Sequence, residues 1–152
     1  MGGKTIASIV LLSLAWGTLL GCSKTPEGVP TATVSGKVTL DGQPLGGAEV
    51  RFLGEKHAGF AVTEADGTFK LTNGAQTGAN KVSISKIDQA KLPPNLRGMS
   101  MADLQSIAQG QGMKTIPGQV VPRKYSDPAS TTLSLDVPAD GTSSADFALT
   151  SK

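Results

Sequence analysis

The chain has 152 residues, with 14 Lys and Arg against 12 Asp and Glu, a formal net charge of +2, and a single cysteine and a single histidine. Near-neutral charge without a basic run or interleaved aromatics excludes nucleic acid as an electrostatic partner, and a lone cysteine excludes an internal disulfide framework. The 19 glycines and 9 prolines call for many turns, while regularly placed apolar residues argue against disorder.

Residues 1–21 (MGGKTIASIVLLSLAWGTLLG) have the layout of a secretory signal peptide, with Lys4 as the only charge and an apolar run from Ile6 to Leu20. A helix of about fifteen residues reaches only about 22 Å. A hydrocarbon core of about 30 Å needs nearer twenty residues, so a signal is expected here rather than a permanent span. Leu19-Leu20-Gly21-Cys22 resembles a bacterial lipobox, although Leu20 is larger than the residue usual two places before the cysteine. The resemblance implies that Cys22 receives a diacylglyceryl group on sulfur, becomes the mature N-terminus and carries palmitate-type chains. The alternative is an ordinary signal followed by an incidental Cys22. Two or more acyl chains anchor a protein stably, at about 0.8 kcal/mol for each buried CH₂. The expected location is therefore a lipid-anchored, exported one, with Ser23 after the cysteine favouring the outer membrane or a periplasmic face.

Residues 22–30 suit a short extended tether, being polar and interrupted by Pro26 and Pro30. The domain is expected over 31–150. In TVSGKVTL, Val34, Gly36, Val38 and Leu40 fall on one face, the period of a half-buried strand. Asp41-Gly42 supplies a turn. Ala48, Val50 and Phe52 point inward in the next strand, and Phe60 and Val62 are expected inward in a third. His57 falls in the turn between those two strands. Asp66-Gly67 turns into a strand with Phe69 and Leu71 inward, and residues 80–87 carry Val82 and Ile84 inward. Asn73-Gly74 signals a further turn.

The alternation stops over 88–118 (domain insertion 88–119), where Pro93-Pro94, several glycines and a helix-like patch, Met101 to Ala108, occur. Ser100 is placed to cap that helix, with Asp103 at the capping-box position. An irregular segment this long is usually functional or mobile. Strands resume at 132–137 and, after Pro138-Ala139-Asp140-Gly141, at 145–149 with Ala145, Phe147 and Leu149 inward. Seven short alternating strands predict an all-β, Ig-like sandwich with one long irregular insertion containing a short helix.

VSGKVTLDGQPLGGAEVRFL, TEADGTFKLT and the 78–86 stretch together resemble the carboxypeptidase regulatory-like domain, a transthyretin (prealbumin)-like sandwich. The later VPRKYSDPASTTLSLDV and the closing DFALT look like the second half of small bacterial lipoproteins built on that domain. Gly36, Asp41-Gly42, Pro44, Asp66-Gly67 and Phe69 occur in the family's order; Lys81 departs from the Tyr often found before the fifth strand's Val. The resemblance spans residues 34–149. It implies a fold and an accessory, non-catalytic role, because in enzymes that carry this domain the chemistry lies elsewhere.

Candidate chemistry is sparse. His57 leaves no His-rich metal site and only one base for a triad, and no G-x-S-x-G elbow, P-loop or zinc spacing occurs. The Asp-Gly pairs at 41, 66 and 140 are expected as turns rather than calcium ligands, since calcium needs six to eight clustered oxygens. The four phenylalanines Phe52, Phe60, Phe69 and Phe147 are all expected inward, leaving Tyr125 as the one possible aromatic platform. A late-strand Asn for an internal isopeptide is missing, the last being Asn95. No cofactor, metal or catalytic residue is expected. The leading expectation is an interaction or structural module of the cell envelope, with the bilayer as partner through acylated Cys22 and an envelope protein as a possible second. The alternative is a ligand- or peptide-binding lipoprotein using the 88–118 segment, where Met99, Met101, Leu104, Ile107 and Met113 offer an adaptable apolar surface.

Overall fold

The computed structural model describes residues 28–113 and 115–152. The signal segment, Cys22 and most of the tether lie outside those residues. The described chain is mostly β, in several sheets with few helices, an arrangement compatible with a β-sandwich.

The first four-stranded sheet is organised around β2 (Ser35–Leu40), with β3 (Gln43–Pro44), β6 (Thr68–Lys70) and β10 (Phe147–Leu149). Asp41 (φ 50°) and Gly42 (φ 79°) close the β2–β3 hairpin, both in the left-handed region that a two-residue primed turn requires. β6 pairs antiparallel with the first half of β2, and β10 runs parallel along its other side, Phe147 beside Val38. The second sheet has the order β5 (Ala58–Val62), β4 (Glu49–Leu53), β8 (Gly78–Ser85), β9 (Leu133–Val137), antiparallel throughout. A small two-stranded sheet joins β1 (Thr31–Ala32) to β7 (Ala75–Gln76).

Apolar alternation places Val50 and Phe52 of β4 and Val82 and Ile84 of β8 in the core, all 0% exposed. Opposite them lie Val38, Phe69, Phe147 and Leu149 of the first sheet. The rings of Phe52, Phe69 and Phe147 meet with centroids 6.1–6.4 Å apart, which joins the two sheets through one aromatic cluster. Such pairs add about 0.5–1.5 kcal/mol each beyond area burial. Buried Thr63 ties the β4 and β5 region to the segment before it. Its hydroxyl donates to the Leu45 carbonyl (2.5 Å) and accepts from the Ala48 N–H (2.8 Å).

The expectation for the third strand is overturned: Phe60 is 51% and Val62 59% exposed, and Gly59 and Ala61 face the core instead. The β4–β5 register explains it. Phe52 pairs with Gly59 and Val50 with Ala61, and paired residues share a face. Phe52 already fills that volume, and a Cβ on Gly59 would sit 2.1 Å from the Gly74 carbonyl oxygen. Only small residues fit inside, so Phe60 and Val62 stand outward across from Arg51 and Glu49. Three of the four phenylalanines are therefore core residues, not all four.

The second half of β8 is covered on both sides. Ser83 and Ser85, which alternate with Val82 and Ile84, are buried as well. The return segment accounts for part of this: Val120 N–H donates to Lys86 O (2.9 Å), and α2 (Arg123–Ser126) packs on β8.

Candidate functional site

The insertion leaves the second sheet at Ile87 and rejoins it at Gln119; those two residues bridge, and Asp88 N–H donates to Gly118 O (2.8 Å). Single 3-10 turns at Gln89–Lys91 and Pro94–Leu96 lead to α1 (Met101–Gly110). Ser100 caps α1 as expected: its Oγ accepts from Asp103 N–H (3.2 Å) and donates to the Asp103 carboxylate (2.7 Å). Leu104 and Ala108, four residues apart and so on one helix face, bury against Leu92 and Ile116 in a cluster of their own.

Between α1 and the loop after α2 lies a cavity of about 240 Å³, lined among others by Gln105, Gln109, Met113, Ile116, Gln119 and Asp127. That is a little under the about 300 Å³ where small-molecule pockets usually begin. Its charged wall is self-neutralised, because the Arg123 guanidinium grips one oxygen of Asp127 through Nε (2.9 Å) and Nη2 (2.8 Å). The Ala129 N–H beside Asp127, with help from Arg123 and Ser130, holds its carboxyl below the usual carboxylate range against the opposing effect of burial. Gln119 is committed to the fold, donating to Val121 O (2.9 Å) and Ser126 Oγ (2.5 Å). What remains for a ligand is uncharged: the Gln105 and Gln109 amides beside flexible Met113, which is 42% exposed. Sequence patterning gives no sign of the opposite wall, Arg123, Ser126, Asp127, Pro128 and Ala129. They lie on α2, which is one turn long, and on the loop after it, and neither shows any periodicity.

The five apolar insertion residues singled out from the sequence do not form one surface. Leu104 is buried, Met101 and Ile107 are half-buried, Met113 lines the α1–α2 cavity, and Met99 faces elsewhere. Met99 and Met101 line a second depression of about 180 Å³ with Val62, Glu49 and Lys86. Tyr125 is half-buried against the core. Lys124 Nζ stands 4.9 Å over one face of its ring, and its hydroxyl lies 3.3 Å from Thr150 Oγ1. It is not in the wall of the α1–α2 cavity.

The aspartates of two Asp-Gly pairs have structural partners, Asp41 in the C-terminal segment and Asp66 within its own turn. Asp41 accepts from Ser151 N–H (3.0 Å), and Asp66 accepts from Thr68 N–H (3.0 Å) and Oγ1 (2.6 Å). Ser151 and Thr68 respectively are the main cause of each carboxyl lying below its ordinary value. At the third, Gly141 N–H closes a turn onto Pro138 O (2.9 Å). His57 is half-buried in the β4–β5 turn with Nε2 3.4 Å from Gly74 O. Among the described residues no group of three or more His, Cys, Asp or Glu is placed to share a metal ion, and no helix is long and apolar enough to cross a membrane. Cys22, the lipid-attachment candidate, lies outside the described residues. No family model, curated protein or solved structure matches the chain.

Proposed function

We propose that this chain is an exported lipoprotein whose β-domain, of the carboxypeptidase regulatory-like, transthyretin-like type, serves as a non-catalytic interaction or structural module of the cell envelope. The observation that carries the reading is the Leu19-Leu20-Gly21-Cys22 sequence at the end of an apolar run, nine residues before β1 begins at Thr31. A lipidated cysteine there displays a folded β-domain at the end of a short tether. The polar groups that a catalytic reading would recruit have structural partners instead: Asp41 accepts from the Ser151 N–H, Asp66 holds a turn, and His57 faces a backbone carbonyl. In-cell crosslinking with mass spectrometry, alongside a Cys22→Ala control, tests the role. Recurrent crosslinks to one envelope protein that vanish in the control are expected. Crosslinks that persist unchanged when the protein has no acylated cysteine contradict a lipid-positioned module.

The α1–α2 cavity favours a second reading, in which the insertion holds a small uncharged ligand or one side chain of a peptide against Met113 and the Gln105 and Gln109 amides. Gln109→Trp fills that cavity from its exposed rim. If envelope crosslinks or co-purifying small molecules are unaffected by it, the cavity is not the binding site.

A further inference from the structure

We propose that the insertion is the partner-facing end of the molecule, and that its α1–α2 cavity takes one uncharged side chain of a peptide segment from another envelope protein. This placement rests on the lipid attachment and the cavity reading proposed above. It adds to them where the cavity stands relative to the membrane and what fills it.

The sheet register puts the tether and the insertion at opposite ends of the domain. Thr31 pairs with Gln76, Thr77 N–H donates to Pro30 O (3.0 Å), and β8 starts at the next residue, Gly78. The chain therefore enters beside the first residue of β8, whereas the insertion leaves at Ile87, just past the last. The eight residues of β8 separate the two by about 25 Å. Contacts between the insertion and the sheet stay at its own end. Met99 and Met101 share a depression with Gly47, Glu49 and Ser85, and Val120 N–H donates to Lys86 O. Cys22 lies nine residues before Thr31, a reach of at most about 30 Å even fully extended. To bring the cavity to the bilayer, the tether would have to run back along the domain at close to that limit. The cavity therefore stands on the aqueous side of the domain, which argues against an acyl chain of the anchoring membrane as its occupant.

The walls of the cavity point to the occupant. Arg123 and Asp127 neutralise each other, so a charged ligand meets no net counter-charge there. The volume of about 240 Å³ holds one amino-acid side chain and falls short of the usual small-molecule pocket. Gln105 and Gln109, four residues apart on one face of α1, both line it. Each side-chain amide offers two donors and an acceptor, and neither has a partner among the described residues. A peptide carries matching N–H and C=O groups on either side of an inserted side chain. An apolar small molecule would leave both amides unmatched, at a cost in affinity. Exposed Met113 adds an apolar contact that adapts to the shape of the side chain.

The test uses the full chain, acylated in cells, with the photocrosslinker p-benzoylphenylalanine at one of two exposed positions. Ser106 lies one turn before Gln109 on α1, and Lys56 lies in the β4–β5 turn at the tether end. Irradiation of intact cells is expected to give, from position 106, a protein adduct that maps to one short segment of its partner. Gln109→Trp fills the cavity and is expected to lower that adduct on the order of tenfold, with the thermal midpoint of the domain unchanged. Gln105→Leu keeps the volume, removes one amide and is expected to lower it several-fold. Phospholipid adducts are expected at 56 in excess of 106. No protein adduct at 106, or one that both variants leave unchanged, overturns the proposal, as does a phospholipid adduct at 106 equal to that at 56. Loss of a co-purifying small molecule in Gln109→Trp while the protein adduct persists keeps the cavity reading and overturns the peptide as its occupant. An intact mass without acyl chains fails the lipid attachment and takes the end-to-end placement with it, an outcome read separately from the adducts.

Discussion

The β core and the 88–118 insertion are each held by an apolar cluster, and the two clusters are built differently. The first joins eighteen buried residues drawn from almost every strand, from Ala32 to Leu149, around the Phe52–Phe69–Phe147 rings. The second is local: Leu92, Leu104, Ala108 and Ile116, with Ile87, Leu96 and Met101 at its edge, all within one excursion of the chain. Removing a side chain from the first loosens both sheets at once. Removing one from the second loosens only the excursion, whose ends stay pinned by the Ile87–Gln119 bridge and the Asp88–Gly118 hydrogen bond. The insertion is therefore a semi-independent unit set on a cooperative scaffold, the kind of region whose local opening costs less than global unfolding.

That contrast is broken or sharpened by a graded series of substitutions. Phe52→Ala is expected to cost about 3–5 kcal/mol and to lower the thermal midpoint of the whole domain; a loss under about 1 kcal/mol would mean that the aromatic cluster does not join the sheets. Leu104→Ala removes a comparable apolar volume, at about 2–5 kcal/mol for a buried leucine, but from the smaller cluster. Hydrogen exchange is expected to show protection lost over 88–118 while β4 and β8 keep theirs, and equal loss in both would merge the two units into one. Thr63→Val strips two hydrogen bonds from the buried Leu45 carbonyl and Ala48 N–H. Each group left unsatisfied costs about 1–3 kcal/mol, and urea unfolding is expected to register the loss globally. Ser100→Ala deletes the α1 cap for about 1 kcal/mol, with faster exchange confined to the first turn of the helix.

The smallest effect concerns acid. Ala129 N–H, then Arg123, keep the folded-state carboxyl of Asp127 below its unfolded value. Its contribution is therefore complete above about pH 4, the unfolded carboxylate value, and is lost as pH falls through the lower folded value. Asp127→Asn is expected to flatten that acid limb slightly in pH-dependent unfolding and to leave the curve between pH 5 and pH 7 unchanged in shape. A slope change in the neutral range would contradict the assignment.

Much of the β framework is legible from alternation alone. Val34 and Val38, Val50 and Phe52, Phe69 and Leu71, Val82 and Ile84, and Ala145, Phe147 and Leu149 are all buried where a period of two puts them. The cap at Ser100 is legible too, because a hydroxyl three residues before a carboxylate is a local signal. β5 is where the method reaches its limit. Ala58–Val62 alternates cleanly, but periodicity does not say which face is inside, and steric room beside Phe52 decides for Gly59 and Ala61. The strands β1, β3 and β7 are two residues long, too short to show any period, and the parallel pairing of β10 with β2 is set by the tertiary path. The α1–α2 cavity was invisible for the same reason, since its walls are more than ten residues apart in sequence and meet only through packing. Cys22 is the reverse case: its reading is chemical, comes wholly from the residues around it, and owes nothing to the fold.

Intact mass of the protein recovered from the membrane fraction tests that central reading most directly. The account predicts a chain that begins at Cys22, has lost residues 1–21, and carries the added mass of a diacylglyceryl group and an amide-linked acyl chain; Cys22→Ala is expected to abolish both the cleavage and the membrane recovery. A chain that retains residues 1–21, or one cut elsewhere with an unmodified Cys22 thiol, would contradict it.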